Sequence, residues 1–196
     1  MQYHDASLLK TAAREDQWPV SDLPEIIFAG RSNAGKSSLI NALVNRKNLA
    51  YAGSTPGKTR LLNFFSVDQK VVFTDAPGYG YATSDKAAAA SFSRLIDPYF
   101  HHRPQLKALV LVLDARREPG KDDIAMIEYA RDAHLAVVIA ATKADKLSRG
   151  AMANQKFKIA KALQVTPQSI YPVDSLKKTG LDEVWTRLNE IISQRF

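Results

Sequence analysis

Gly30-Arg31-Ser32-Asn33-Ala34-Gly35-Lys36-Ser37 follows the apolar run Glu25-Ile26-Ile27-Phe28-Ala29 and opens a stretch with helical spacing. Its glycines, lysine and serine occupy every fixed position of the pattern G-x-x-x-x-G-K-[ST], in the strand-to-helix setting that the pattern requires. Glycines let a backbone curl around a phosphate. Successive NH groups and the dipole of the following helix favour negative charge there, and a lysine at this place reaches the terminal phosphates of a nucleotide. Ser37 offers its hydroxyl to magnesium. The stretch predicts an α/β sheet with a phosphate at the carboxyl edge of its strands.

Outward from this loop, apolar runs alternate with amphipathic stretches, the pattern of a mostly parallel sheet with helices on both faces. The runs predict about six strands, over 25–29, 61–67, 70–74, 108–114, 136–141 and 170–173. Only the second and third are joined tightly, through Asp68 and Gln69, so they form an antiparallel hairpin. Helices are predicted over 36–44, 84–101, 121–133, 150–163 and 181–193. In the last, Leu181, Val184, Trp185, Leu188 and Ile191 or Ile192 mark one apolar face. Residues 46–60, polar, basic and broken by Gly and Pro, read as a long functional loop.

The chain of 196 residues is long enough for one core and short for two, and its hydrophobic and charged fractions of 45% and 24% are those of a globular domain. The absence of cysteine rules out disulfides and thiolate metal sites and suits a reducing compartment. No stretch has the roughly 18 apolar residues of a membrane span or the form of a signal peptide, so a cytoplasmic protein without a membrane anchor is expected. The net charge of +7 favours a polyanionic partner, RNA or DNA, or serves solubility alone.

Two further segments complete a nucleotide site. Asp75-Ala76-Pro77-Gly78 ends an apolar strand at the ligand-bearing edge, where Asp75 binds magnesium through water and the NH of Gly78 meets the γ-phosphate. Thr142-Lys143-Ala144-Asp145 follows another apolar strand and fits the [NT]-K-x-D signature of GTP-binding proteins. A carboxylate at Asp145 accepts from the imino and amino groups of guanine, a donor pair that adenine lacks. Lys143 would lay its stem across the base. The segment Val173-Asp174-Ser175-Leu176-Lys177-Lys178-Thr179-Gly180 stands where a third base-binding loop belongs, or is a helix-start loop with Asp174 or Ser175 as cap.

Taken in order, GRSNAGKSSLIN, STPGKTR, DAPGYGYA, TKADK and DSLKKTG resemble the EngB family, also called YihA or YsxC, over nearly the whole chain. The resemblance implies a three-layer P-loop NTPase fold of the small-GTPase type over 23–196, with 1–22 as an N-terminal extension packed on it. It implies binding of GTP and GDP with Mg2+, slow hydrolysis, and a role in assembling the large (50S) ribosomal subunit, with rRNA and ribosomal proteins as partners. A need for the protein in normal cell division and septation is also implied. Gly57, Lys58, Thr59, Arg60 and Leu61 would form the first switch and Asp75, Ala76, Pro77 and Gly78 the second. Ser37, Thr59 and Asp75 would hold magnesium, and Lys36, Thr59, Gly78 and Asn33 would act in catalysis. Asp174 departs from the serine usual in the family.

Tyr79 stands where Ras-type GTPases have a water-orienting glutamine, so intrinsic turnover should be slow, with rate added by a ribosomal partner or by an ion. Asn33 matches the asparagine with which related GTPases hold K+, or it stabilises the loop. Tyr79, Tyr81 and Phe92 either stack on RNA or a protein or pack beneath a loop. Lys156, Lys158 and Lys161 belong to a basic last third that faces rRNA or is a solvated helix face. A monomer is expected. Two rival readings are a P-loop kinase or ATPase, against which Thr142 to Asp145 argues, and a division scaffold that keeps nucleotide only for structure.

Overall fold

Side-chain alternation along one central strand accounts for the layers. β2 (Glu25–Gly30) turns Ile26 and Phe28 to one face of the sheet and Ile27 and Ala29 to the other, and all four are fully buried. A strand covered on both sides needs helices on both sides. The computed structural model describes residues 4–50, 61–80 and 86–194.

Within them a seven-stranded sheet is formed by β1 (Ala6–Ala12), β2, β3 (Leu62–Val67), β4 (Val71–Asp75), β5 (Leu106–Asp114), β6 (Ala136–Thr142) and β7 (Ile170–Pro172), in the order β1-β3-β4-β2-β5-β6-β7. One face is covered by α2 (Lys86–His102), α3 (Lys121–Asp132) and α4 (Arg149–Leu163), which contribute Ile96, Tyr99, Met126, Ile159 and Leu163. The other is covered by α1 (Lys36–Leu43) and α5 (Leu181–Ser193), through Leu39, Ile40, Val184 and Leu188. Among the described residues no helix is long and apolar enough to cross a membrane.

The expected hairpin is present. β3 and β4 pair antiparallel, and Asp68 and Gln69 both take left-handed conformations (φ 52° and 53°), the turn whose twist matches that of its strands. The sheet has one strand more than the six expected. β1 pairs antiparallel with β3, from Ala6 opposite Val67 to Ala12 opposite Leu62, and only these two end residues of β1 are buried. Its five middle residues face solvent, so no alternating pattern marks it as a strand.

β4, β2, β5, β6 and β7 run parallel and bring Asp75, Gly30, Asp114, Thr142 and Pro172 to one edge of the sheet. At that edge Gly180, the cap of α5, has φ 76°, and a Cβ there would lie 2.0 Å from the Pro172 carbonyl oxygen. Only glycine fits both constraints.

Candidate functional site

The phosphate loop is shaped by close backbone approach. A Cβ at Gly30 would stand 2.5 Å from the Val112 carbonyl oxygen, so the strand end can lie against β5 only without a side chain. Asn33 (φ 65°) and Gly35 (φ 94°) reverse the chain before α1, whose first turn holds Lys36 and Ser37. Ala34 is buried beneath the loop, Arg31 and Ser32 are half-buried, and Asn33 is exposed.

Parallel pairing of β2 with β4 sets Phe28 opposite Asp75, so the second acidic segment leaves the sheet beside the loop. Lys36 Nζ and Asp75 Oδ1 form an ion pair, with both side chains about nine-tenths buried. The Ala76 NH donates to the Phe28 carbonyl at 3.0 Å. Beyond it, the Ser32 NH donates to the Tyr79 carbonyl at 2.9 Å and the Tyr79 NH to the Gly30 carbonyl at 3.3 Å. These bonds hold Pro77 and Gly78 against the phosphate loop, and a Cβ at Gly78 would meet Ser32 Oγ at 2.9 Å. Of the expected first switch, Leu61 is half-buried directly before β3. Gly57, Lys58, Thr59 and Arg60 lie outside the described residues, as does Tyr81.

The Thr142 to Asp145 segment is bolted to the phosphate loop. Thr142 is buried, and its hydroxyl donates to the Ala34 carbonyl with the Leu113 carbonyl oxygen 2.9 Å away. Lys143, in a left-handed conformation, donates from Nζ to the Asn33 carbonyl at 2.9 Å and pairs with Asp114 Oδ2 at 3.0 Å. The Asp145 carboxylate meets the ammonium of Lys146 at 2.9 Å, which holds its pKa below the ordinary carboxylate value. An ionised acid is the form that accepts two hydrogen bonds. The Ala144 NH donates to the Val173 carbonyl at 3.2 Å, which joins this motif to the third segment.

In that segment Asp174 is buried, and its Oδ1 accepts from the NH groups of Leu176 and Lys177 at 2.9 and 3.1 Å. Its backbone pairs with Thr179. The carboxylate thus shapes its own loop, and Ser175 follows half-buried.

Two acids that the sequence reading passed over complete the site. Asp114 accepts from Arg116 Nε and Nη2 at 2.8 and 2.6 Å as well as from Lys143, and these cations hold it far below the usual carboxylate range. It ends apolar β5 as Asp75 ends apolar β4, and that parallel was its signal. A cavity of about 140 Å³ beside the loop is lined by Arg31, Asn33, Asp114, Arg116 and Lys143 among others. Asp123, at the start of α3, accepts from the Tyr79 hydroxyl at 2.7 Å and from the Gly120 NH at 2.8 Å. Tyr79 is 4% exposed and packs edge-on to Phe92, so of its two expected placements it takes the buried one.

A mostly parallel sheet whose carboxyl edge unites a phosphate loop, an acid-to-glycine segment and a Thr-Lys-x-Asp motif defines a P-loop GTPase domain. The comparisons agree. A family model described as 50S ribosome-binding GTPase matches residues 25–143. The probable GTP-binding protein EngB of Streptococcus gordonii is 43% identical over 192 residues, which cover 97% of this chain and 98% of the relative. That of Streptococcus agalactiae is 45% identical over 190 residues, 96% of each chain. Among solved structures, a probable GTP-binding protein EngB superposes with a TM-score of 0.72 at 23% identity, over 87% of this chain and all of the other. Era of Aquifex aeolicus bound to GDP and AlF4− gives 0.68 at 18% identity, over 90% of this chain and 59% of that one. The chain belongs to the EngB family of GTP-binding proteins.

Proposed function

We propose that this protein is a slowly hydrolysing GTP switch, cytoplasmic and monomeric, that acts in assembly of the large ribosomal subunit and is needed for normal cell division and septation. The observation that carries the reading is the convergence of Lys36, Asp75, Gly78 and the Thr142 to Asp145 motif at one sheet edge, with Lys143 and Thr142 tied to the loop between them. Family membership supports the ribosomal part, and on this reading residues 1–22 extend a single G domain over 23–196.

Each group has a task in the reaction. The loop NH groups and Lys36 hold the phosphates, the Gly78 NH donates to the γ-phosphate, and Asp145 selects guanine. Ser37 and Thr59 would supply hard oxygens to Mg2+, and Asp75 would hold it through water. When bound, the ion neutralises charge on the β- and γ-phosphate oxygens. With phosphate in the loop, Lys36 would exchange its Asp75 partner for it. Hydrolysis is slow because the Tyr79 hydroxyl is committed to Asp123 and does not orient water. Asn33, exposed at the loop crest, would hold K+ to add positive charge near the transferred phosphoryl group.

The test is a titration of wild type and Asp145→Asn with GTP, GDP, ATP and XTP, followed by turnover in potassium or sodium with and without large subunits. Guanine preference that shifts to xanthine in the variant, with turnover raised by subunits, is expected. Equal ATP binding unaffected by Asp145→Asn would overturn the guanine site, and turnover indifferent to subunits would remove the proposed activator.

A further inference from the structure

α4 is anchored by Met152, Ile159, Ala160 and Leu163, which are buried. At 3.6 residues per turn its opposite ridge carries Asn154, Phe157, Lys158 and Lys161, all exposed. Phe157 is 66% exposed, a large ring at a position where an amphipathic helix normally presents a polar group. Along the chain the charge near it has one sign: residues 146–173 contain Lys146, Arg149, Lys156, Lys158 and Lys161 and no Asp or Glu. Among the described residues, Lys158 meets exposed Glu118 at 3.5 Å, while Lys156 and Lys161 enter no ion pair.

We propose that this ridge binds single-stranded RNA, with Phe157 as the stacking platform for one base and Lys158 and Lys161 on the flanking phosphates. The inference rests on the ribosome-directed reading above and gives it a face and a kind of RNA. A phenyl ring offers no hydrogen bond, so it accepts the face of any base, and the lysines supply the sequence-independent attraction to the backbone. Paired RNA hides its base faces within the stack, so a duplex would meet the charges alone. A protein partner fits less well, because the cores of protein interfaces are depleted in lysine, and here lysines flank the ring on the same helix.

The experiment uses full-length protein with GDP and a uridine strand of about 12 nucleotides carrying one 2-aminopurine. Phe157→Ala is expected to weaken binding about tenfold at every salt concentration and to abolish the 2-aminopurine quench, with Phe157→Trp retaining both. Lys158→Gln combined with Lys161→Gln should weaken binding and reduce the slope of log affinity against log salt by about 1.4. GDP affinity, unchanged in all variants, reports that they are folded. Equal binding and quench by wild type and Phe157→Ala, or equal affinity for duplex and single strand, would overturn the proposal.

Cosedimentation with large subunits separates the two readings. If wild type cosediments yet ignores the strand, the ridge is wrong and the ribosomal reading stands. If it binds the strand through Phe157 but does not cosediment, the ribosomal reading falls and the ridge stands. Loss of cosedimentation in Phe157→Ala with strand binding intact would make the ridge a protein contact and overturn the RNA assignment.

Discussion

Asp114 accepts from Arg116 at 2.8 and 2.6 Å and from Lys143 at 3.0 Å, and Lys143 in turn donates to the Asn33 carbonyl at 2.9 Å. One nearly buried carboxylate thus fixes a lysine that props the phosphate loop. Its stabilisation follows from its lowered pKa: a depressed carboxyl contributes fully above its unfolded value and loses that contribution as pH falls through the unfolded value toward the folded one. Asp114→Asn is therefore expected to lower the unfolding free energy by about 2 kcal/mol at neutral pH. The gap to wild type should stay constant from about pH 5 to 8 and narrow below about pH 4. Urea unfolding across that range is the check, and a gap that widens in acid would show the sign to be wrong. GDP affinity should fall with it, because Lys143 loses its anchor.

At the scale of elements, a single hydroxyl ties the segment after β4 to the start of α3. Tyr79 donates to Asp123, whose other oxygen caps α3 at the Gly120 NH, and burial raises the Asp123 pKa while the tyrosine bond opposes that rise. In Tyr79→Phe the carboxyl loses a donor inside the protein and its pKa climbs further. The expected cost is about 1–2 kcal/mol. Faster amide exchange at Gly78 to Gly80, with β5 and β6 unchanged, would show that the bond holds the segment after β4; uniform exchange would show that the backbone bonds to Gly30 and Ser32 suffice. This contact was hidden from a linear reading because its partners lie 44 residues apart. The phosphate loop, the Asp68-Gln69 turn and the apolar face of α5 were legible because each is decided by neighbours in the chain or by helical spacing. β1 was not, since its pairing with β3 buries only Ala6 and Ala12. The anchoring of the Lys143 ammonium by Asp114 and Asn33 was not legible, because it depends on how three strands end together.

Considered whole, the molecule draws its proposed site from the ends of β2, β4 and β6 and from the loop after β7, with cross-bonds Thr142 to Ala34, Lys143 to Asn33 and Ala144 to Val173. A nucleotide seated across these ends would contact segments that separate only when the sheet unfolds, so its binding free energy adds to the stability of the entire domain. At a free GDP concentration about 100 times Kd the gain is about 2.7 kcal/mol, which for a chain of this size raises Tm by about 5–10 °C. Calorimetry should show that rise with GDP and Mg2+, a smaller one when the metal is chelated, and none with ADP. In Asp145→Asn the rise should pass from GDP to XDP while the unliganded Tm moves little, because among the described residues that carboxylate pairs with exposed Lys146, a surface ion pair of small worth. A GDP-induced rise retained in full by Asp145→Asn would place the base elsewhere on the sheet edge.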